Sequence, residues 1–122
     1  MDLTPHHVGI IVSDLARSKA FYGALGFTTV DEREMPDKTL TFMRLGALQV
    51  ELFAYAEPVP AAESVERVLG FRHLALETPD IDAAYAELRD AGILAEGVTI
   101  RELPGGWRLL FFNDPDGVEI EI

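Results

Sequence analysis

From residue 7 to residue 12 the chain alternates, with Val8, Ile10 and Val12 on one parity and His7, Gly9 and Ile11 on the other. Successive strand residues face opposite sides of a sheet, so this run reads as a short strand with one face for the core. The spacing then becomes helical. Ser13 or Asp14 is placed to cap a helix whose Leu15, Phe21, Tyr22 and Leu25 face a core, and Gly26 ends it. Strand-like runs follow at residues 27–34, 39–45 and 48–55. The same order then recurs. Residues 73–78 read as a strand, Pro79 and Asp80 open a helix, Ile81, Ala84, Tyr85 and Leu88 fall at i, i+3, i+4 and i+7, and Gly92 closes it. Strands are predicted at 94–101, 107–113 and 118–122, with Asp114-Pro115-Asp116-Gly117 as a turn before the last.

The recurrence is an internal duplication. Sliding the chain by 66 positions lays His7, Asp14, Ala20 and Gly26 onto His73, Asp80, Ala86 and Gly92, with apolar residues matched between them. The fold class that follows is α+β, two tandem βαβββ modules in a single domain of 122 residues. The first module spans 1–56 and the second 71–122. The linker, 57–70, begins with Pro58 and Pro60 and has a possible helical turn through Val65 and Leu69.

Parity also says where the polar groups point. Val50 and Leu52 oppose Gln49, Glu51 and Phe53, while Val118, Ile120 and Ile122 oppose Glu119 and Glu121. If the helices cover the apolar parity, the other face collects His7, Glu51, His73 and Glu121. Taken singly, a histidine at a strand start is ordinarily structural, and a glutamate between apolar neighbours ordinarily faces solvent. Together, in corresponding places of two copies, the four suit a divalent cation and define a concave, cation-binding face. Glu119 shares parity with Glu121 and reads as an exposed rim acid. His6 lies on the other parity and is given no role. Glu77, on the face of His73, reads as structural. With no cysteine in the chain, any transition metal is held by imidazole and carboxylate.

Charge and hydropathy narrow the partners. A net charge of −11, with ten scattered Lys and Arg, argues against nucleic acid, which needs a basic stripe. Residues 1–12 lack a basic stretch followed by a long apolar run, and nothing approaches the roughly eighteen consecutive apolar residues of a membrane span. The expectation is a cytoplasmic protein with neither membrane nor nucleic-acid partner.

The segments HHVGIIVSDLARSKAFYGALGF, LQVELF, FRHLALETPDIDAAYAELRDAGI and FFNDPDGVEIEI resemble the vicinal oxygen chelate superfamily, the family of glyoxalase I, methylmalonyl-CoA epimerase, extradiol dioxygenases and fosfomycin and bleomycin resistance proteins. The resemblance spans nearly the whole chain. It implies paired βαβββ modules forming a cup around a divalent metal, with helices on the outer face. The family's metal positions fall on His7, Glu51, His73 and Glu121, a set similar to that of glyoxalase I (lactoylglutathione lyase). The ion implied is nickel, zinc, cobalt, manganese or iron. By the same resemblance Glu121 is the base of a lyase or isomerase, with Glu51 a ligand that also shuttles protons. The substrate implied is a small molecule with vicinal oxygens, and the expected assembly is a homodimer, with the cup inside one chain or across two. Two positions depart from glyoxalase I. Ile11 stands where an Arg would take glutathione's carboxylate, and Tyr55 where an Asn is expected, so the substrate stays open. The epimerase's additional acid is missing from the strand at 39–45. Candidate pocket residues are Phe42, Arg44, Phe53, Trp107 and Arg108. The alternatives are an extradiol-type dioxygenase and a non-catalytic drug-binding protein of the same fold.

Overall fold

Asp14 and Asp80 start the two helices in the same way. Each is extended, and its carboxylate accepts the backbone N–H three residues on, Arg17 at 3.0 Å and Ala83 at 2.9 Å. This satisfies one of the otherwise orphaned donors at the helix start and fixes the boundary. Helix α1 spans Leu15–Ala24 and helix α2 spans Ile81–Asp90. The chain leaves each helix through a glycine in the left-handed region, Gly26 (φ 97°) and Gly92 (φ 71°).

The computed structural model describes residues 1–61 and 67–122, and the chain divides into two units, Met1–Pro60 and Ala61–Ile122. Each is α+β. The first has strands β1 (Val8–Ile11), β2 (Thr28–Glu34), β3 (Lys38–Leu45) and β4 (Leu48–Tyr55) in the order β1-β4-β3-β2. Only β1 and β4 pair in parallel, because α1 carries the chain from β1 to the opposite edge, β2, and the meander through β3 brings β4 back beside β1. Ile10, Val12, Phe21, Tyr22, Phe27, Met43, Val50 and Leu52 are buried and form the core of this unit. The alternation of β1 and β4 is thus as the sequence predicts. On α1, Leu15 and Leu25 are only half-buried, and Ser18 lies fully buried beside Phe21 and Tyr22. A small residue there lets the helix approach the sheet closely, a role that hydrophobicity alone does not signal.

Edge strand β2 is exposed along its length and carries Asp31, Glu32, Arg33 and Glu34 with a register shift between Thr29 and Asp31. Charge and a bulge both discourage pairing with another chain. Glu32 accepts from Lys19 Nζ and Thr41 Oγ1, both at 2.8 Å.

The second unit repeats the plan with shorter strands: β5 (Leu74–Ala75), β6 (Arg101–Leu103), β7 (Trp107–Leu109), β8 (Phe111–Asn113) and β9 (Glu119–Glu121). β5, β9 and β8 form one sheet and β6 pairs with β7. The run at 107–113 is interrupted at Leu110, whose N–H and C=O pair with Ile122 at 2.9 Å. The strand expected at 94–101 begins only at Arg101, because Val98 turns back to Ala95 and Gly97 adopts φ 82°. Tyr85 Oη donates to Val98 O at 3.1 Å and ties that irregular segment to α2. Leu74, Leu88, Leu110, Phe112 and Ile120 are the buried apolar residues here. Of the helical turn expected through Val65 and Leu69, Val65 lies outside the described residues. Among the described residues no helix is long and apolar enough to cross a membrane.

Two predictions test these local determinants. Asp80→Ala should lower unfolding stability by about 1 kcal/mol in urea titration, through loss of the cap. Glu32 is held below its ordinary value of 4.5, chiefly by the Lys19 hydrogen bond and then by Thr41. The unfolded chain therefore binds this proton more readily, and the contribution is present above pH 4.5 and lost as pH falls through the depressed folded value. Lys19→Met should flatten the rise of stability with pH across that acid window, read from denaturation midpoints at successive pH values.

Candidate functional site

The parallel register of β1 with β4 sets Gly9 opposite Glu51. His7, two residues earlier on the same face, then reaches the glutamate, with Nε2 3.0 Å from Glu51 Oε2. Phe42 sits across from Glu51 on β3, and its ring meets the His7 imidazole edge-on, 5.4 Å between centroids. Gly9 keeps the intervening space clear. A Cβ there would come within 3.2 Å of Phe53 Cε2, so the Phe53 ring is seated over the glycine. Glu51 is 8% exposed, and a carboxylate this buried needs a partner.

The second unit builds the same arrangement from its own residues. Ala75 pairs with Glu121 in the parallel register of β5 and β9, His73 lies two residues before Ala75, and His73 Nε2 is 2.9 Å from Glu121 Oε2. Phe111 stands opposite Glu121 and packs against the His73 ring at 5.8 Å. The position of β9 is set by the turn before it. Buried Asp114 accepts from Asp116 N at 2.9 Å and Val118 N at 2.8 Å, and Gly117 adopts φ 94°.

The surroundings of the two imidazoles differ. Glu119, expected as an exposed rim acid, is instead largely covered, with its side chain 21% exposed. Its Oε1 lies 2.7 Å from Arg72 Nη1 and 3.4 Å from His73 Nδ1. Both Oε1 and Nδ1 are buried, and neither has an aligned hydrogen bond. In the first unit the matching positions are Gln49 and His6. Arg44 donates to Gln49 at 3.1 Å, Gln49 donates to His6 O at 3.4 Å, and His6 Nδ1 faces His7 Nδ1 at 2.6 Å. His6, given no role from the sequence, is thus the neighbour of a site histidine.

What such pairs can do follows from their charge. An imidazole lone pair and a carboxylate oxygen repel at 3 Å unless a proton or a cation lies between them. Two donors each about 2.1 Å from one ion and at right angles lie about 3.0 Å apart, so each pair matches neighbouring positions on a transition-metal ion. The donor chemistry therefore fits a divalent cation. Within either unit, no three of the described His, Asp and Glu side chains converge as a complete metal cluster. Each unit holds one His–Glu pair.

A cleft of about 450 Å³ in the second unit is lined by Glu77, Ile81, Trp107, Arg108, Leu109 and Glu121, among others. Trp107 is 65% exposed, so it belongs to the cleft wall and not to the core. Arg108 makes a two-pronged contact with Asp82 at 2.6 and 2.8 Å, which holds the Asp82 carboxyl below its ordinary value and raises the guanidinium. Glu77, expected as structural, is exposed along the same cleft. Phe42 and Phe53 surround the His7 pair, while Arg44 is engaged with Gln49. Ile11 is exposed, and Tyr55 stacks on Phe53 at 6.5 Å with Lys38 Nζ 5.6 Å from its ring. Sequence reasoning missed Phe111, Arg72 and the pair Gly9 and Ala75. The last was within reach, since both stand two residues after a histidine and match under the 66-residue shift.

Comparison with known proteins agrees with this architecture. The family model for the Glyoxalase/Bleomycin resistance protein/Dioxygenase superfamily matches residues 4–122. The uncharacterized protein YaeR of Escherichia coli (strain K12) is 43% identical over 122 residues, 96% of this chain and 92% of its own. A probable lactoylglutathione lyase of Synechocystis sp. is 30% identical over 124 residues, 95% of this chain and 91% of its own. The crystal structure of a glyoxalase family protein from Enterococcus faecalis superposes with a TM-score of 0.84 at 33% identity, covering 97% of this chain and 94% of that one. This chain belongs to the glyoxalase/bleomycin resistance protein/dioxygenase superfamily.

Proposed function

We propose that this protein is a metal-dependent lyase or isomerase of the glyoxalase type, acting by proton transfer on a small substrate with adjacent oxygens. The observation that carries the reading is the repeated pair, His7 with Glu51 at 3.0 Å and His73 with Glu121 at 2.9 Å. Membership of a family that includes a probable lactoylglutathione lyase supports the reaction class. His7, Glu51, His73 and Glu121 are the proposed ligands of one nickel, zinc, cobalt, manganese or iron ion, contributed by one chain or by two chains of a homodimer. The second acid, Glu51, favours this class over the dioxygenase reading, whose family pattern is two histidines and one acid.

A bound divalent ion would supply Lewis-acid stabilisation of negative charge on the substrate oxygens. The protein's own part is binding, orientation and proton movement. Glu121 faces His73 through Oε2 while its side chain also lines the cleft, so this carboxylate is within reach of a molecule held there. It takes the proton from the carbon beside a carbonyl and returns it to the neighbouring carbon. Glu51, buried and in contact with His7, is the complementary proton carrier. Trp107, Ile81 and Leu109 supply the apolar wall against which a substrate is oriented. Phe42 and Phe111 pack on the two imidazoles and hold their rings in place.

Metal analysis after exhaustive dialysis should find a stoichiometric divalent ion, and His73→Ala or His7→Ala should abolish its uptake. Protein that folds normally yet takes up no nickel, zinc, cobalt, manganese or iron refutes the proposal. Glu121→Gln should slow turnover of hemithioacetals or small keto acids by about 10²- to 10⁴-fold, with loss of solvent-deuterium incorporation. Retention of full exchange by that variant would remove Glu121 from the reaction.

A further inference from the structure

We infer that Glu119, clamped by Arg72, is a positioning residue that orients His73 in the proposed metal site. The inference deepens the functional reading above and rests on it for the role of His73 as a ligand. The starting point is the pair of buried atoms without aligned partners, Glu119 Oε1 and His73 Nδ1, 3.4 Å apart. When imidazole Nε2 gives its lone pair to an ion, the ring proton must sit on Nδ1. A carboxylate beside Nδ1 favours that tautomer, fixes the ring plane and raises the basicity of Nε2.

Glu119 is held for this task. Arg72 Nη1 lies 2.7 Å from the same oxygen, and β9 pairs with β5 on one side and β8 on the other, so the backbone beneath the glutamate is fixed. The first unit has no carboxylate in the corresponding place. Its matching residue, Gln49, is neutral and already engaged with Arg44 and the His6 carbonyl, and His7 Nδ1 faces a second imidazole.

The test uses the full chain and two readouts. Competition of zinc or nickel between the metal-free protein and a chromophoric chelator should show a 10- to 100-fold weaker affinity for Glu119→Ala. Glu119→Gln, whose amide oxygen still accepts, should recover part of the loss, and Arg72→Gln should weaken binding less than Glu119→Ala. Nitrogen NMR of the His73 ring in zinc-loaded protein, with the ion on Nε2, should show an Nδ1 proton that exchanges slowly with solvent in the unmodified chain and faster in Glu119→Ala. Circular dichroism identifies a variant that fails to fold, in which case Glu119→Gln and Arg72→Gln decide. Folded Glu119→Ala with unchanged affinity and unchanged exchange of the His73 Nδ1 proton overturns the inference. If the unmodified chain takes up no metal, the functional reading fails and the inference falls with it, whereas metal uptake that Glu119→Ala leaves unchanged overturns the inference alone.

Discussion

Everything at the candidate site depends on the register of two parallel strand pairs. In each unit the first strand lies beside the strand that closes the module, with a small residue, Gly9 or Ala75, opposite a glutamate, Glu51 or Glu121. That register places a histidine two residues upstream, on the same face and within 3 Å of the carboxylate. A slip of one residue would turn Val50 or Ile120 toward the imidazole and send the glutamate into the apolar core. Burial of Val50, Leu52 and Ile120 on the opposite parity makes such a slip costly, so the hydrophobic core itself holds the polar pairs in place.

The arrangement is unfavourable unless something compensates it. Glu51 is buried beside phenylalanine and glycine, where an isolated carboxylate would cost several kcal/mol. An imidazole at 3.0 Å offsets that only when a positive charge lies between the two groups. A chain selected for stability alone would do better with an apolar pair at these positions. Finding the same arrangement built twice, from different residues with the same register, is the physical reason to read it as function.

How much of this was legible in the sequence follows from where local patterning dominates. Alternation gave the parity of β1, β4 and β9, and the Asp caps and glycine exits fixed both helices, because these depend on near neighbours. The turn at 114–117 was equally readable, although the two backbone hydrogen bonds that Asp114 accepts were not. The strand expected at 94–101 failed because hydrophobicity cannot see that Gly97 adopts φ 82°. Ser18 was missed because close helix packing selects for smallness, not for apolarity. Glu119 was misread because its cover comes from Arg72 and His73, 47 and 46 positions away in the chain. Phe111 was unreadable for the same reason, since its partner is known only once the strand register is.

Duplication explains why the halves match, and divergence explains why they are not equivalent. The donor pair tolerates little change, because a 3 Å contact between Nε2 and a carboxylate is set by backbone register. Residues behind the imidazole are free to change, since they reach it by side chain alone. One half carries Glu119 and Arg72, a charged pair in a part-buried setting where charge-assisted contacts are strong. The other has His6 and Gln49, and so no carboxylate behind its imidazole.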